Sequence, residues 1–374
     1  MSNFAFGTYR ISDLNPQHIL ALKDAISSGI KLIDTSSNYM DGGAERAIGI
    51  ALESSGINRR DIEIVSKYKA SQDLNKRLEL SLQRLKTNYI DCYMVENIEE
   101  FLIDALDKSM DRDEILDTTY DKIYTAFLDL ETAVREKKIL SYGISSESFA
   151  QKISSEYFLP YEDLISIADR AAQEAGNEEY HLTTIELPVN LLEPEGLKCA
   201  KWAKEHSLKV LSNRALNAQF DTKMYRLAEY DEPFEYYHNL NELLNICDND
   251  ELRVLYNLVQ ELDASKHKFG WIGDYDTFFY TQILPHIKNS LVSFDEKSTK
   301  SMFVYIDSFF TEYRKMVLFE CCKKTKKELK VFFQNCELSM QECAIRFLLE
   351  SEVIDFIVLG MGKSIYVHEV LALK

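Results

Sequence analysis

Residues 31–39 read KLIDTSSNY, and what stands on either side of them decides the fold. Upstream, HILALKDAISSG (18–29) spaces its apolar residues at helical intervals and ends on Gly29, suited to the left-handed position that closes a helix. Downstream, ERAIGIALESSG (45–56) repeats the pattern and closes on Gly56, before IEIVSKY (62–68) supplies a second short apolar run. The local order is therefore helix, strand, helix, strand.

The same beat continues outward. LNKRLELSLQRLKT (74–87) leads to YIDCYMVE (89–96), and TAFLDLETAVREKK (125–138) leads to ILSYGISS (139–146). TTIELPVNL (183–191) is followed by the helical LKCAKWAKEHS (197–207) and by KVLSNRAL (209–216). A last round, LSMQECAIRFLLES (338–351) and IDFIVLGMG (354–362), lies far downstream. With the opening run Phe6–Ile11 the strands number eight. Eight parallel strands with helical crossovers close into an α/β structure of the (β/α)8 TIM-barrel class. A doubly wound open sheet is the alternative, but the first turn carries no G-x-G-x-x-G loop and no acidic residue follows at the ribose-binding distance.

Two stretches interrupt the beat: an acidic one from Asn97 to Asp121 and a long one from Gln219 to about Glu337. Both leave the carboxyl end of a strand, which in a barrel is the active-site rim. The second is too aromatic for a linker, and NELLNICDNDELRVLYNLVQEL (241–262) and KSMFVYIDSFFTEYRKMVLF (300–319) have helical spacing. The expected organisation is a barrel of residues 1–218 and 338–374 carrying a mainly helical insertion, 219–337, able to hold a protein partner.

At 374 residues, 46% of them apolar, the chain can bury a large core without staples. Its seven cysteines show neither C-x-x-C nor metal-ligand spacing, so free thiols in a reducing compartment and no metal are expected. No basic leader or membrane-length apolar run is present, which points to the cytoplasm and away from a membrane. A net charge of -18 disfavours nucleic acid. The basic run Lys323, Lys324, Lys326, Lys327 and Lys330 reads as a solvated helix face.

Strand ends gather Asp34, Lys67 and, five positions after Asp34, Tyr39 at one rim. A tyrosine is a poor acid or base at neutral pH; an adjacent ammonium lowers its pKa, and a carboxylate keeps that ammonium charged and aimed. Singly these residues read as a turn cap, a surface charge and a packing group. Together they suit protonation of a carbonyl oxygen.

LIDTSSNY (32–39), VSKY (65–68), IDCYMVEN (90–97), YGISS (142–146) and VLGM (358–361), in this order, resemble the aldo-keto reductases, (β/α)8 barrels that reduce carbonyls with NADPH. The resemblance covers the barrel and leaves the insertion unmatched. It implies that Tyr39 is the proton donor, tuned by Lys67 and Asp34, in a set whose fourth member is usually His. Here that position holds Glu96. An ionised carboxyl cannot donate to a substrate oxygen and a protonated one can; family members that reduce conjugated C=C bonds of steroids carry Glu there, so a carbonyl or an enone is the implied substrate.

For the cofactor, NADPH or NADH, the resemblance implies contacts from Thr8, Ser145, Ser146, Glu186, Ser212, Asn213, Arg214, Lys363 and Ser364. Three carboxylates depart from the family pattern. Glu147 and Glu186 stand where amides commonly meet the nicotinamide, and Glu369 where an Arg commonly meets the 2′-phosphate. A second hypothesis follows from them: a barrel of the same descent that has lost redox activity and serves as a binding or regulatory protein.

Overall fold

The computed structural model describes residues 3–108, 110–292, 294–334 and 336–373. Its strands are β1 (Phe4–Gly7), β2 (Leu32–Asp34), β3 (Glu63–Lys69), β4 (Ile90–Glu96), β5 (Ile139–Ser145), β6 (Leu182–Pro188), β7 (Lys209–Asn213), β8 (Asn217–Phe220), β9 (Lys223–Arg226) and β10 (Phe356–Gly360). Eight of them close a barrel in the order β1-β10-β7-β6-β5-β4-β3-β2, with every pairing parallel. The TIM-barrel class is thus observed. The first strand lies two residues earlier than the apolar run suggested, and the seventh ends at Asn213 rather than Leu216.

Helix ends fall where the glycines stand: Gly29 and Gly56 take left-handed conformations (φ 93° and 69°) after the helices Pro16–Ser27 and Gly43–Ser55. The acidic stretch 97–121 is not a structureless interruption. It forms the helix Glu99–Asp107 and opens a second, Arg112–Arg135. Part of its acidity lies at helix N-termini: Glu99 and Glu100 occupy one first turn, Asp113 and Glu114 the other, and Asp111 caps the latter through the Glu114 amide at 3.0 Å.

The chain divides into two compact units, Met1–Ala215 with Ile345–Lys374, and Leu216–Ala344. The first contains the barrel. In it Ala5, Leu32, Val65, Cys92, Met94 and Leu211 pack as one buried cluster. The second holds the antiparallel hairpin β8–β9, which the periodicity did not suggest, and helices that include Tyr236–Cys247, Arg253–Ser265 and the 33-residue Glu296–Glu328. It has its own core, with Tyr236, Leu243, Leu255, Val259, Phe309 and Tyr313 among its buried members. The lysine run 323–330 belongs to the end of the long helix and the turn after it.

The expectation of free thiols throughout is corrected: Cys336 and Cys343 form a disulfide, while Cys92, Cys199, Cys247, Cys321 and Cys322 are free and buried. The pair arises because the chain ahead of the helix Met340–Leu349 brings the two Cα atoms to 6.2 Å, a proximity with no spacing signature. Among the described residues no helix is long and apolar enough to cross a membrane.

Gly143, in β5, sits where the neighbouring strand comes close. A Cβ there would lie 2.5 Å from the Thr184 carbonyl oxygen and 2.9 Å from Met94 Cε. The oxygen belongs to the neighbouring strand and cannot step aside without opening the ladder. Gly143→Ala is expected to cost about 1–3 kcal/mol of stability, read as a lower urea midpoint at unchanged slope; an unchanged midpoint would contradict the close approach of the Thr184 carbonyl.

Candidate active site

The site begins with a lysine that has no access to solvent. Lys67 lies within β3, and its side chain is 0% exposed. A buried ammonium is tolerable only if its charge and its donors are met. Asp34, the last residue of β2, accepts a hydrogen bond from Nζ, the Thr35 carbonyl accepts another at 3.2 Å, and Glu186 Oε2 stands at 3.1 Å. That last approach is an ion-pair contact rather than an aligned hydrogen bond, since Oε2 accepts none.

The loop after β2 runs beside β3 and carries the tyrosine. The Thr35 amide donates to the Val65 carbonyl at 2.8 Å and the Ser37 amide to that of Lys67 at 2.9 Å. Tyr39 then enters a tight turn in which Met40, Asp41 and Gly42 all have positive φ (50°, 53° and 76°). Two non-glycine residues in that region store strain, which the flanking hydrogen bonds must hold. Lys67 Nζ lies 5.6 Å from the centroid of the half-buried Tyr39 ring, and the Tyr9 ring meets it edge-on at 5.1 Å.

Electrostatics in this pocket depart from the simple expectation. Burial pushes the Tyr39 phenol well above its ordinary value; the Lys67 ammonium pulls the other way, and Asp34, Glu186 and Glu96 oppose that pull. The expected lowering of Tyr39 by its ammonium neighbour is therefore corrected, because desolvation and three carboxyl groups outweigh one cation. Burial and the facing Glu186 also hold the Asp34 carboxyl well above its usual range, against the pull of Lys67. Burial lowers the Lys67 ammonium, yet Asp34 and Glu186 more than offset this and leave it well above its ordinary value.

Glu96 ends β4 at the same rim. Its Oε1 accepts from Ser36 Oγ at 2.6 Å and from Asn38 Nδ2 at 3.3 Å, and Asn38 in turn accepts from Gln72 Nε2 at 3.0 Å. Ser36 and Asn38 were not singled out in the sequence, although both lie in the stretch that decides the fold. Nothing in their spacing announces that they grip a carboxyl 58 and 60 positions away.

The residues implied for the cofactor are nearly all engaged by their own chain. Ser145 Oγ and Asn213 Nδ2 donate to Glu186 Oε1 at 3.3 and 2.8 Å. Ser146 Oγ donates to Glu99 at 2.6 Å, and Ser212 Oγ to the Val189 carbonyl at 2.9 Å. Arg214 pairs with Glu147 at 2.9 Å and also with Glu193. Thr8 Oγ1 donates to the Asp34 carbonyl at 2.9 Å, tying β1 to β2. Lys363 is exposed and precedes the helix Ser364–Ala372, which also bears the exposed Glu369. Asn190 supports a turn, accepting from the amides of Leu192 and Glu193 at 3.0 Å each. Glu99 and Glu193 were missed because a carboxylate that silences a donor has no motif.

Removing the cation would leave two facing carboxyls in a dry site. Lys67→Met is expected to cost about 3–5 kcal/mol at neutral pH. Without that cation the already raised Asp34 carboxyl is pushed up further, so its protonation offsets part of the loss and the deficit relative to wild type should shrink as pH falls through that raised value. A deficit in urea unfolding that is independent of pH would contradict this charge arrangement.

A family model described as the Aldo/keto reductase family matches residues 3–373. Among curated proteins, the methylglyoxal reductase YeaE of Escherichia coli K12 is 35% identical over 98 residues, 25% of this chain and 34% of that protein. The glyoxal reductase of Bacillus subtilis is 31% identical over 96 residues, 25% of this chain and 33% of its own length. The matches thus span about a third of these relatives. Among solved structures, the glycerol dehydrogenase of Gluconobacter oxydans aligns over 99% of this chain and 85% of its own, at 16% identity and a TM-score of 0.48. An aldo/keto reductase of Klebsiella pneumoniae, in complex with NADP and acetate, aligns over 58% of this chain and 65% of its own, at 24% identity and a TM-score of 0.40.

Proposed function

The chain belongs to the aldo/keto reductase family, and from that premise we propose that it reduces a small carbonyl compound with NADPH or NADH, Tyr39 giving the proton to oxygen. One observation carries the reading: the wholly buried Lys67, paired with Asp34, has the Tyr39 ring beside its ammonium. The names of the relatives, reductases of methylglyoxal and glyoxal, make small dicarbonyl aldehydes the first substrates to try.

Two buried atoms without a hydrogen-bond partner suit the nucleotide. Asn213 Oδ1 is an acceptor for a carboxamide N–H, and Arg214 Nε is a donor for a phosphate oxygen. When bound, the reduced nicotinamide supplies a hydride to the carbonyl carbon. The protein's part is the proton. Tyr39 keeps it at neutral pH because burial raises the phenol, and releases it as negative charge grows on the substrate oxygen, with Lys67 at hand to stabilise the phenolate. Glu96 accepts from Ser36 and Asn38 through Oε1 and so orients these two groups at the rim. Reduction of a conjugated enone would require Glu96 in its acid form.

A second reading, a barrel that binds a partner without redox chemistry, draws on a different observation: Glu99, Glu147, Glu186 and Glu193 engage donors that a nucleotide would use. In it the insertion 219–337 would carry the partner surface. Titration with NADPH and NADH, followed by nucleotide fluorescence, separates the two. Binding in the micromolar range supports the reductase, and no binding of either at high micromolar nucleotide refutes it. In the active protein Tyr39→Phe should lower turnover of methylglyoxal by about 10²-fold or more with binding retained; unimpaired turnover would remove Tyr39 from proton delivery.

A further inference from the structure

Lys67 reaches two carboxyl groups that come from opposite sides. Asp34 is on the adjacent strand β2, whereas Glu186 is on β6, three strands away from β3 around the barrel. Glu186 is aimed by its own neighbours. Its Oε1 is taken by Ser145 from β5 and Asn213 from β7, which leaves Oε2 directed at the ammonium. Both carboxyl side chains are nearly as buried as the lysine, at 4% and 3% exposure.

We propose that Glu186 is a positioning residue of the proton-delivery site, sharing the Lys67 ammonium with Asp34 and thereby keeping the Tyr39 phenol protonated. The inference rests on the reading of Tyr39 as proton donor and assigns Glu186 a place in it that no nucleotide contact requires.

The argument is one of charge in a dry space. Lys67 and Asp34 alone make a neutral pair whose cation faces the Tyr39 ring, and that cation would draw the phenol toward phenolate. Adding Glu186 turns the cluster into one cation between two acids. If both acids ionise, the cluster is net negative, which disfavours a further negative charge on Tyr39. The groups facing Tyr39 are then Lys67 from β3, Asp34 from β2, Glu186 from β6 and Glu96 from β4. Of these only Lys67 favours phenolate. An uncharged amide at 186 keeps the shape and could still accept from Ser145 and Asn213, but it removes one of the three opposing groups.

The consequence is directional. Tyr39 must hold its proton to reduce a carbonyl and must be ionised to take a proton from an alcohol. Glu186 therefore holds the enzyme in its reducing form to higher pH, and its loss moves the pH profile of alcohol oxidation downward.

The test uses the full-length protein labelled with 13C at tyrosine Cζ, the Tyr39 resonance being assigned by its loss in Tyr39→Phe. In the wild type Tyr39 should remain neutral past about pH 10, the ordinary tyrosine value. Glu186→Gln should lower its midpoint by about one unit or more, and Glu186→Asp, which keeps the charge, should return it toward wild type. A midpoint that Glu186→Gln leaves unmoved overturns the proposal. Should that variant fail to fold, the wild type still decides against the proposal if its Tyr39 titrates below about 10. The titration needs neither nucleotide nor turnover, so failure of the reductase reading leaves it interpretable. In an active enzyme an unmoved midpoint removes Glu186 alone.

Discussion

An ammonium buried from solvent has to be paid for by its neighbours, and the architecture around Lys67 follows from that requirement. Asp34, the Thr35 carbonyl and Glu186 supply the acceptors, and they come from β2, the loop after it and β6. Only a closed barrel sets those chain segments around one point, since β3 and β6 are separated by two intervening strands. The ion cluster and the barrel closure thus depend on each other: a shift of β6 would carry Glu186 away from Lys67, and loss of the cluster would leave bare charge in the mouth.

The loop that bears Tyr39 is held by the same region. Ser36 links the Lys67 carbonyl to the Glu96 carboxyl, the Ser37 amide meets the Lys67 carbonyl, and the strained Met40 and Asp41 follow directly. Strain of this kind persists only when several hydrogen bonds over-determine the backbone. Here they come from β3 and β4, so the phenol is fixed relative to the lysine by the strands that fix the lysine itself.

The excess of acidic residues, 61 against 43 basic, acquires a structural meaning at the barrel mouth. Glu99, Glu147, Glu186 and Glu193 each take a donor that the family resemblance would offer to a nucleotide. On the proposed reading, a nucleotide would have to compete with these internal partners or use the atoms they leave, such as Asn213 Oδ1 and Arg214 Nε. Nucleotide affinity is then a difference between two sets of charged contacts rather than a sum of new ones.

Much of this was legible in the chain itself. The eight strands could be read because buried parallel strands are short apolar runs separated by helices with a 3.6-residue period, and Gly29 and Gly56 mark helix ends through a backbone conformation that side chains disfavour. Asp34, Tyr39, Lys67 and Glu96 could be gathered at one rim because strand ends in a barrel share a face. The rest lay in pairings without local signature. The acidic stretch 97–121 became one helix and the start of another, Cys336 met Cys343, and Glu186 was brought beside Lys67. Above all, the sign of the effect on Tyr39 was decided by tertiary structure. Sequence put a cation beside the phenol, but only the fold decides how deeply the phenol is buried and how many carboxyl groups surround it, and those two quantities outweigh the single positive charge.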